Sequence, residues 1–351
     1  AGTAGRFVSD IFEKHDVGCL GPGRFGEYSG KHYARDKWST KSALDCLHRL
    51  AIEMQPGDLV VLRSGLHAVG IGIVADAPYE FNKSFDDLFG WDLQHTRRII
   101  WQDHLVSELK TCQQAGPLFR HMKQMVSLTR LQNDRSLPLL RPLLEKVEVR
   151  QLRGLPPQPT DSLSLEQLGQ RLFSKGLSNE TSDRVVEAVR RLRRLYDWYQ
   201  QPMQAPGRPT EHEVVAHMIL PLLVALGWSE QLLAVEWHKV DLAAFGRTPT
   251  DRDSCVLVCE AKSGDHGLQD VEHQAFGYIS RLRLTNWRKV LVTQGGRYYV
   301  FSRKSSNWEA IGELTGYYNL DLIREDNIFP SGTNQIDTLV GLTPTGVLGS
   351  H

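Results

Sequence analysis

The chain has 351 residues, no formal net charge, and 41% hydrophobic and 23% charged residues, the make-up of a globular protein with room for two or three domains. Zero net charge argues against a globally basic nucleic-acid binder and leaves only a local basic groove for such a role. The five cysteines, Cys19, Cys46, Cys112, Cys255 and Cys259, form no CxxC pair, which disfavours a disulfide framework or a zinc ribbon and leads to the expectation of a reducing cytoplasm. The first residues carry no signal-peptide pattern. The most apolar stretch, "MILPLLVALGW", is too short for a membrane span. The chain contains no GxxxxGK[ST], so no ATP site is expected.

In chain order, "STKSALDCLHRLAIEM" (39–54) places Leu44, Leu47, Leu50 and Ala51 at helical spacing. "PGDLVVLRSGLHAVGIGIVADAPY" (56–79) predicts two strands around a Ser-Gly turn, with Gly70 and Gly72 marking bends or close backbone approach. "HTRRIIWQD" (95–103) predicts a further strand. Residues 1–153 therefore read as an α+β domain. The Pro-rich stretch 154–162 reads as a linker and 163–200 as a helical connector split at "KGLSNET". Residues 201–351 read as the second domain. In it a helix over 210–228 is capped by Thr210 and kinked by Pro221, and "LAVEWHKVDLAAF" (233–245) and "CVLVCEAKS" (255–263) are paired strands. A helix over 270–283 and a hairpin at Gly295-Gly296 complete an α/β core with a mixed sheet.

The chemistry concentrates at the end of "CVLVCEAKS". Strand side chains alternate, so Glu260 and Lys262 share one face. Asp241, on the paired strand, can meet them at one sheet edge. Two neighbouring carboxylates repel and lose solvation, a conflict that a hard cation such as Mg²⁺ removes. The lysine can then orient or help deprotonate an attacking water. The bland alternative is a Glu–Lys ion pair that closes a strand.

Asp241, Glu260-x-Lys262 and a following helix bearing Gln274 and Tyr278 resemble the PD-(D/E)XK nuclease superfamily, in its RecB-like branch. Val240 stands where that pattern often has Pro. "TEHEVVAHMILPLLVALGW" is similar to the opening helix of the type I restriction endonuclease subunit N-terminal domain, and the likeness runs from about 163 to 325. The resemblance implies a restriction-endonuclease-like mixed sheet flanked by helices. It also implies catalytic roles for Asp241, Glu260, Lys262, Gln274 and an acid of the opening helix. Glu211 lies on the stripe of Val215, Met218, Leu222 and Leu226, whereas Glu213 does not, so Glu211 is the choice. Mg²⁺, with Mn²⁺ able to substitute, would be held by Asp241, Glu260 and the main-chain carbonyl of Ala261.

"HEVVAH" (212–217) is no zinc motif. His212 and His217 lie five apart, roughly 140° around a helix, where ligands four apart would be separated by roughly 40°. Both histidines read as surface or boundary residues. Arg184, Arg190, Arg191 and Arg194 lie in a basic helical run, which is either a solvated face or a set of contacts to DNA phosphates.

In the first domain, Gln55-Pro56-Gly57-Asp58 before a strand pair, together with "GWDLQHTRRIIWQD", resembles the EVE and related PUA-like β-barrel domains. That likeness implies a pocket in which a flipped, modified base stacks on aromatic rings. Trp38, Tyr79, Phe81 and Trp91 are the cage candidates, and Trp101, mid-strand, reads as core. The expected activity is modification-dependent DNA cleavage in restriction and phage defence. The substrate would be double-stranded DNA carrying 5-methylcytosine or 5-hydroxymethylcytosine, and the enzyme a homodimer. Two alternatives stand beside it: a nuclease fold governed by a ligand- or protein-sensing first domain, and an inactive DNA-binding protein.

Overall fold

The computed structural model describes residues 5–30, 33, 41–64, 67–88, 90–115, 128–130, 137–200, 209–262, 268–303, 312–325 and 334–349. They form two units, Ala1–Gln158 and Pro159–His351. Trp38 lies outside the described residues.

The first unit contains α1 (Gly5–His15), β1 (Val17–Leu20), α2 (Lys41–His48), β2 (Leu59–Ser64), β3 (His67–Val74), β4 (Glu80–Phe81), β5 (His95–Trp101), α3 (Val106–Ala115) and α4 (Leu137–Leu144). Its antiparallel sheet has the order β1-β5-β3-β2, with β4 also on β5. β5 is shared along its length. His95 to Arg98 pair with β1, and Thr96 and His95 also pair with β4, while Ile99 to Trp101 pair with β3. A strand that changes partners midway curls its sheet, and here the sheet is a curled half-barrel. Gly72 lies opposite Trp101, and a Cβ there would collide with the Ile99 and Trp101 side chains, which is why the strand carries glycine at this point. Trp101 is core, its indole N–H donating to the Val17 carbonyl at 3.0 Å. Leu105, Leu109, Leu140 and Leu143 of the following helical segments pack with Ala68 and Ile71 of β3.

The end of the first domain, and the start of the stretch read as a linker, are fastened to this unit. Arg150 forms two 2.6 Å bonds to the fully buried Asp16 carboxylate, and the Arg153 N–H adds a third at 2.8 Å. Burial alone would raise the Asp16 pKa, but these bonds outweigh it and the pKa is lowered. Further on, Ser84 Oγ donates to the Pro156 carbonyl at 2.9 Å.

The second unit contains α5 (Leu165–Ser174), α6 (Asn179–Gln200), α7 (Glu211–Val214), a π-helical segment (Val215–Ile219), α8 (Leu220–Ala225), β6 (Leu233–Trp237), β7 (Val240–Phe245), β8 (Cys255–Ala261), α9 (Leu268–Leu282), β9 (Lys289–Thr293), β10 (Arg297–Arg303), β11 (Gly312–Asn319), α10 (Gln335–Gly341) and α11 (Pro344–Leu348). The sheet order is β11-β10-β9-β8-β7-β6. β8 and β9 are parallel, joined through α9, and the other neighbours are antiparallel. β8 is buried along its whole length because it is central and covered, which accounts for the unbroken apolar run of "CVLVC".

Two sequence readings change here. The stretch 163–200 is not a separate connector: Leu168, Leu172, Val185, Val189, Leu192 and Tyr199 belong to the same core as β8 and β10. Residues 233–245 are not one strand but a tight hairpin, β6 and β7, turning at His238 and Lys239 with φ of 51° and 72°. Such a turn normally announces itself with Asn or Gly, and this one carries neither. Asp241 therefore lies at the start of β7. Since β7 runs antiparallel to β8, its start lies beside the end of β8.

At Pro221, where the sequence predicts a kink, the opening helix carries a wide turn. The proline has no N–H to return to the preceding turn. The helix instead widens just ahead of it, and the Leu220 N–H reaches back five residues to the Val215 carbonyl.

Candidate functional site: a carboxylate–lysine cluster at the sheet edge

Four charged side chains meet where β7 begins and β8 ends. Asp241 Oδ2 accepts the Ala261 N–H at 2.7 Å. Lys262 Nζ stands 3.2 Å from Glu260 Oε1 and 3.1 Å from Glu211 Oε1. The Lys262 N–H donates to the Thr293 carbonyl at 3.0 Å, fixing the end of β8 against β9. Of the two acids in the first turn of α7, Glu211 reaches the lysine. Glu213 closes a capping box on Thr210.

The electrostatics are those of an uncompensated acidic site. Glu260 is fully buried, and its Oε2 has no hydrogen-bond partner. Burial first and Asp241 second push its carboxyl up to about 8, against the pull of Lys262. Asp241 is raised too, mainly by burial, with the Ala261 N–H and Lys262 opposing. Burial pulls the Lys262 ammonium down, but Glu211 and Glu260 outweigh it and its pKa is raised, so the side chain is a cation.

The donor set suits a hard divalent ion. Among the described residues, no group of three or more His, Cys, Asp or Glu is gathered to hold one. What the edge offers is two carboxylates, Asp241 and Glu260, with Ala261, whose N–H bonds Asp241, following Glu260 on β8. Mg²⁺ commonly takes one or two protein carboxylates and keeps water in its remaining positions. The unpartnered, buried Glu260 Oε2 is the atom such an ion would satisfy.

Other candidates fall outside this cluster. The Gln274 amide donates to the Tyr278 hydroxyl at 2.8 Å, within its own helix. Arg184, Arg190, Arg191 and Arg194 are exposed on α6. Arg190 pairs with Glu187, and Arg184 bonds Thr181 Oγ1 at 3.2 Å.

In the first unit, Tyr79 and Phe81 flank a residue the sequence reading did not single out, the fully buried His95. The Tyr33 hydroxyl faces the Pro22 and Gly26 carbonyls, which only accept, so its proton goes to them. His95 Nε2 then donates to Tyr33 at 3.0 Å, and Nδ1 accepts from Tyr79 at 2.7 Å. The Tyr28 N–H completes the Tyr79 hydroxyl at 3.2 Å. Burial lowers the His95 pKa and lifts that of Tyr33 to about 12. The Tyr79 hydroxyl is thus committed within the fold. Trp91, by contrast, is 48% exposed. Residues so scattered in sequence leave no motif, which is why His95 and Tyr33 escape a reading by spacing.

His212, which the sequence marks as a surface or boundary residue, is exposed. In the structure its Nδ1 lies 3.1 Å from Glu236 Oε1, and its charge bears on Asp241. No family model, no curated protein and no solved structure matches the chain. Among the described residues, no helix is long and apolar enough to cross a membrane.

Proposed function

We propose that the second unit is a Mg²⁺-dependent DNA endonuclease of the PD-(D/E)XK type and that the first unit reads a modified base. The observation that carries the nuclease reading is the meeting of Asp241, Glu260 and Lys262 at one sheet edge, with Glu260 buried, raised and holding one unpartnered oxygen. Asp241, Glu260 and the Ala261 carbonyl would hold Mg²⁺. When bound, the ion offsets the carboxylate charge and polarises the phosphate for attack by water.

The chain's own groups do the rest. The Ala261 N–H fixes Asp241. Glu211 and Glu260 hold Lys262 from two sides, so its ammonium is placed to orient the water and to stabilise negative charge growing on the phosphate. A double-strand break needs two such sites, so the active species is proposed to be a homodimer. The exposed Arg184, Arg191 and Arg194 are available to DNA phosphates. For the reader, support comes from the exposed Trp91 ring and from the half-buried Tyr79 and Phe81 rings packed on the buried His95, aromatic faces of the kind an extruded base stacks on.

The test is cleavage of matched duplexes carrying cytosine, 5-methylcytosine or 5-hydroxymethylcytosine, with Mg²⁺ or Mn²⁺. Cutting confined to a modified duplex is the expected result. Equal cutting of all three overturns the reader, and no cutting of any overturns the nuclease.

A further inference from the structure

The cluster at the sheet edge poses a charge problem for the substrate proposed above. Glu211, Asp241 and Glu260 meet Lys262 there, and DNA brings a further negative charge at every phosphate. Lys262 is occupied by two of those carboxylates. Another nearby cation, Arg281, donates to the His238 carbonyl at 2.8 Å and lies 4.7 Å over the Tyr278 ring. His212 differs. Its Nδ1 faces the Glu236 carboxylate at 3.1 Å, and its side chain is 83% exposed. An ionised carboxylate only accepts, so Nδ1 carries the hydrogen, and the ring is held with Nε2 toward solvent.

The backbone keeps this pair in place at some cost. Glu236, His238 and Lys239 all adopt positive φ, at 55°, 51° and 72°, a region that side chains with a Cβ seldom occupy. The strained turn leads directly into Asp241, and His212 follows Glu211 on α7. The pair therefore stands at the rim of the cluster, bracketed in sequence by two of its members. Ion pairs between exposed groups add little to stability, so stabilising the fold does not account for it.

We propose that His212, oriented by Glu236, grips a DNA phosphate next to the scissile position through its Nε2–H. This rests on the nuclease reading and adds a substrate-contacting residue to it. With Nδ1–H directed at Glu236, Nε2 carries a hydrogen only in the imidazolium, so the phosphate contact is a charge-assisted hydrogen bond made by the charged ring.

The experiment uses the full chain and the duplex that the wild type cuts best, with KM, kcat, melting temperature and the salt dependence of duplex affinity as readouts. One lost phosphate contact lowers the slope of log affinity against log salt by about 0.9, equivalent to about eightfold in affinity over a tenfold change in salt. His212→Ala is expected to reduce the slope by about that amount and to raise KM up to about eightfold, with kcat and melting temperature nearly unchanged. His212→Arg should restore both, and Glu236→Gln should give a partial loss. If His212→Ala matches the wild type in KM and slope, the proposal is wrong while the nuclease reading stands. If melting temperature falls and His212→Arg restores nothing, the pair is structural and the proposal is again wrong. A wild type that cuts no duplex sinks the nuclease reading first.

Discussion

Glu211 Oε1 and Lys262 Nζ, 3.1 Å apart, join the first turn of a helix to the residue that follows a central strand. The contact ties the placement of the lysine to the placement of the helix, so a change in either residue reaches the whole cluster.

Lys262→Ala should lower the cleavage rate by on the order of 10²–10⁴ while leaving DNA affinity close to that of the wild type. The Glu260 carboxyl loses a compensating charge in this variant, and its pKa should climb further. With Glu260 protonated the protein should still fold, and an unchanged far-ultraviolet spectrum checks the folding. Wild-type cutting by this variant would remove Lys262 from the reaction.

The buried Glu260 makes stability depend on pH. Its folded pKa, about 8, lies above the ordinary 4.5, so the folded state binds the proton more tightly than the unfolded state does. The stability this contributes is complete below about pH 4.5 and is lost as pH rises through about 8. Without metal, the melting temperature should fall between pH 5 and pH 8.5, by about 2–4 °C for each kcal/mol lost. Glu260→Gln should flatten that decline. Parallel curves for the two proteins would show that Glu260 is not the titrating group.

Mg²⁺ should act in the opposite sense. An ion that binds only the folded protein stabilises it by mass action, and protons compete for the same oxygens. Added Mg²⁺ should thus raise the melting temperature more at pH 8 than at pH 5. Asp241→Ala and Glu260→Ala should each abolish the metal-linked heat in calorimetry with a non-cleavable duplex. A heat that survives in both variants places the ion elsewhere.

For the reader, the comparison is between Trp91→Ala and Tyr79→Phe in a cleavage-deficient Lys262→Ala background. Base stacking is worth about 1–3 kcal/mol per base, so losing the exposed Trp91 should erase a preference for modified over plain duplex without unfolding. Tyr79→Phe removes a hydroxyl that bonds His95 and the Tyr28 N–H. It should cost about 1 kcal/mol or more in stability and leave Trp91 in place. If Trp91→Ala keeps the full preference, the base is read elsewhere or not at all.

The site was legible where its members sit close in sequence. The two-residue period of β8 puts Glu260 and Lys262 on one face, and Glu211 rather than Glu213 reaches the lysine, although the wide turn at Val215–Ile219 breaks the regular stripe that pointed to it. The β8–α9–β9 unit was legible because an apolar strand, a helix and a second apolar strand follow one another without interruption. What escaped was set by backbone conformation and by distance along the chain. Nothing in His238-Lys239 signals a reversal, since the left-handed φ there falls on residues with side chains. The Tyr33–His95–Tyr79 network draws on segments that only the curled sheet brings together. The Asp16–Arg150 pair escaped for the same reason, and residues 154–158, read as linker, belong to the first unit.

The widened turn at Val215–Ile219 has a consequence for how Glu211 is aimed. Each helical residue advances the chain by about 100°, and a single wide turn holds one residue more than an ordinary one would. The segments before and after it, α7 and α8, thus run out of phase by that step. The back half of the helix keeps Leu222 and Leu223 in the core while the front half delivers Glu211 to Lys262. The phase offset acts as a fixed dial setting for the acid. Deleting one residue within 215–219 would let the helix close into ordinary turns and swing Glu211 away from the lysine, with the core-facing back half undisturbed.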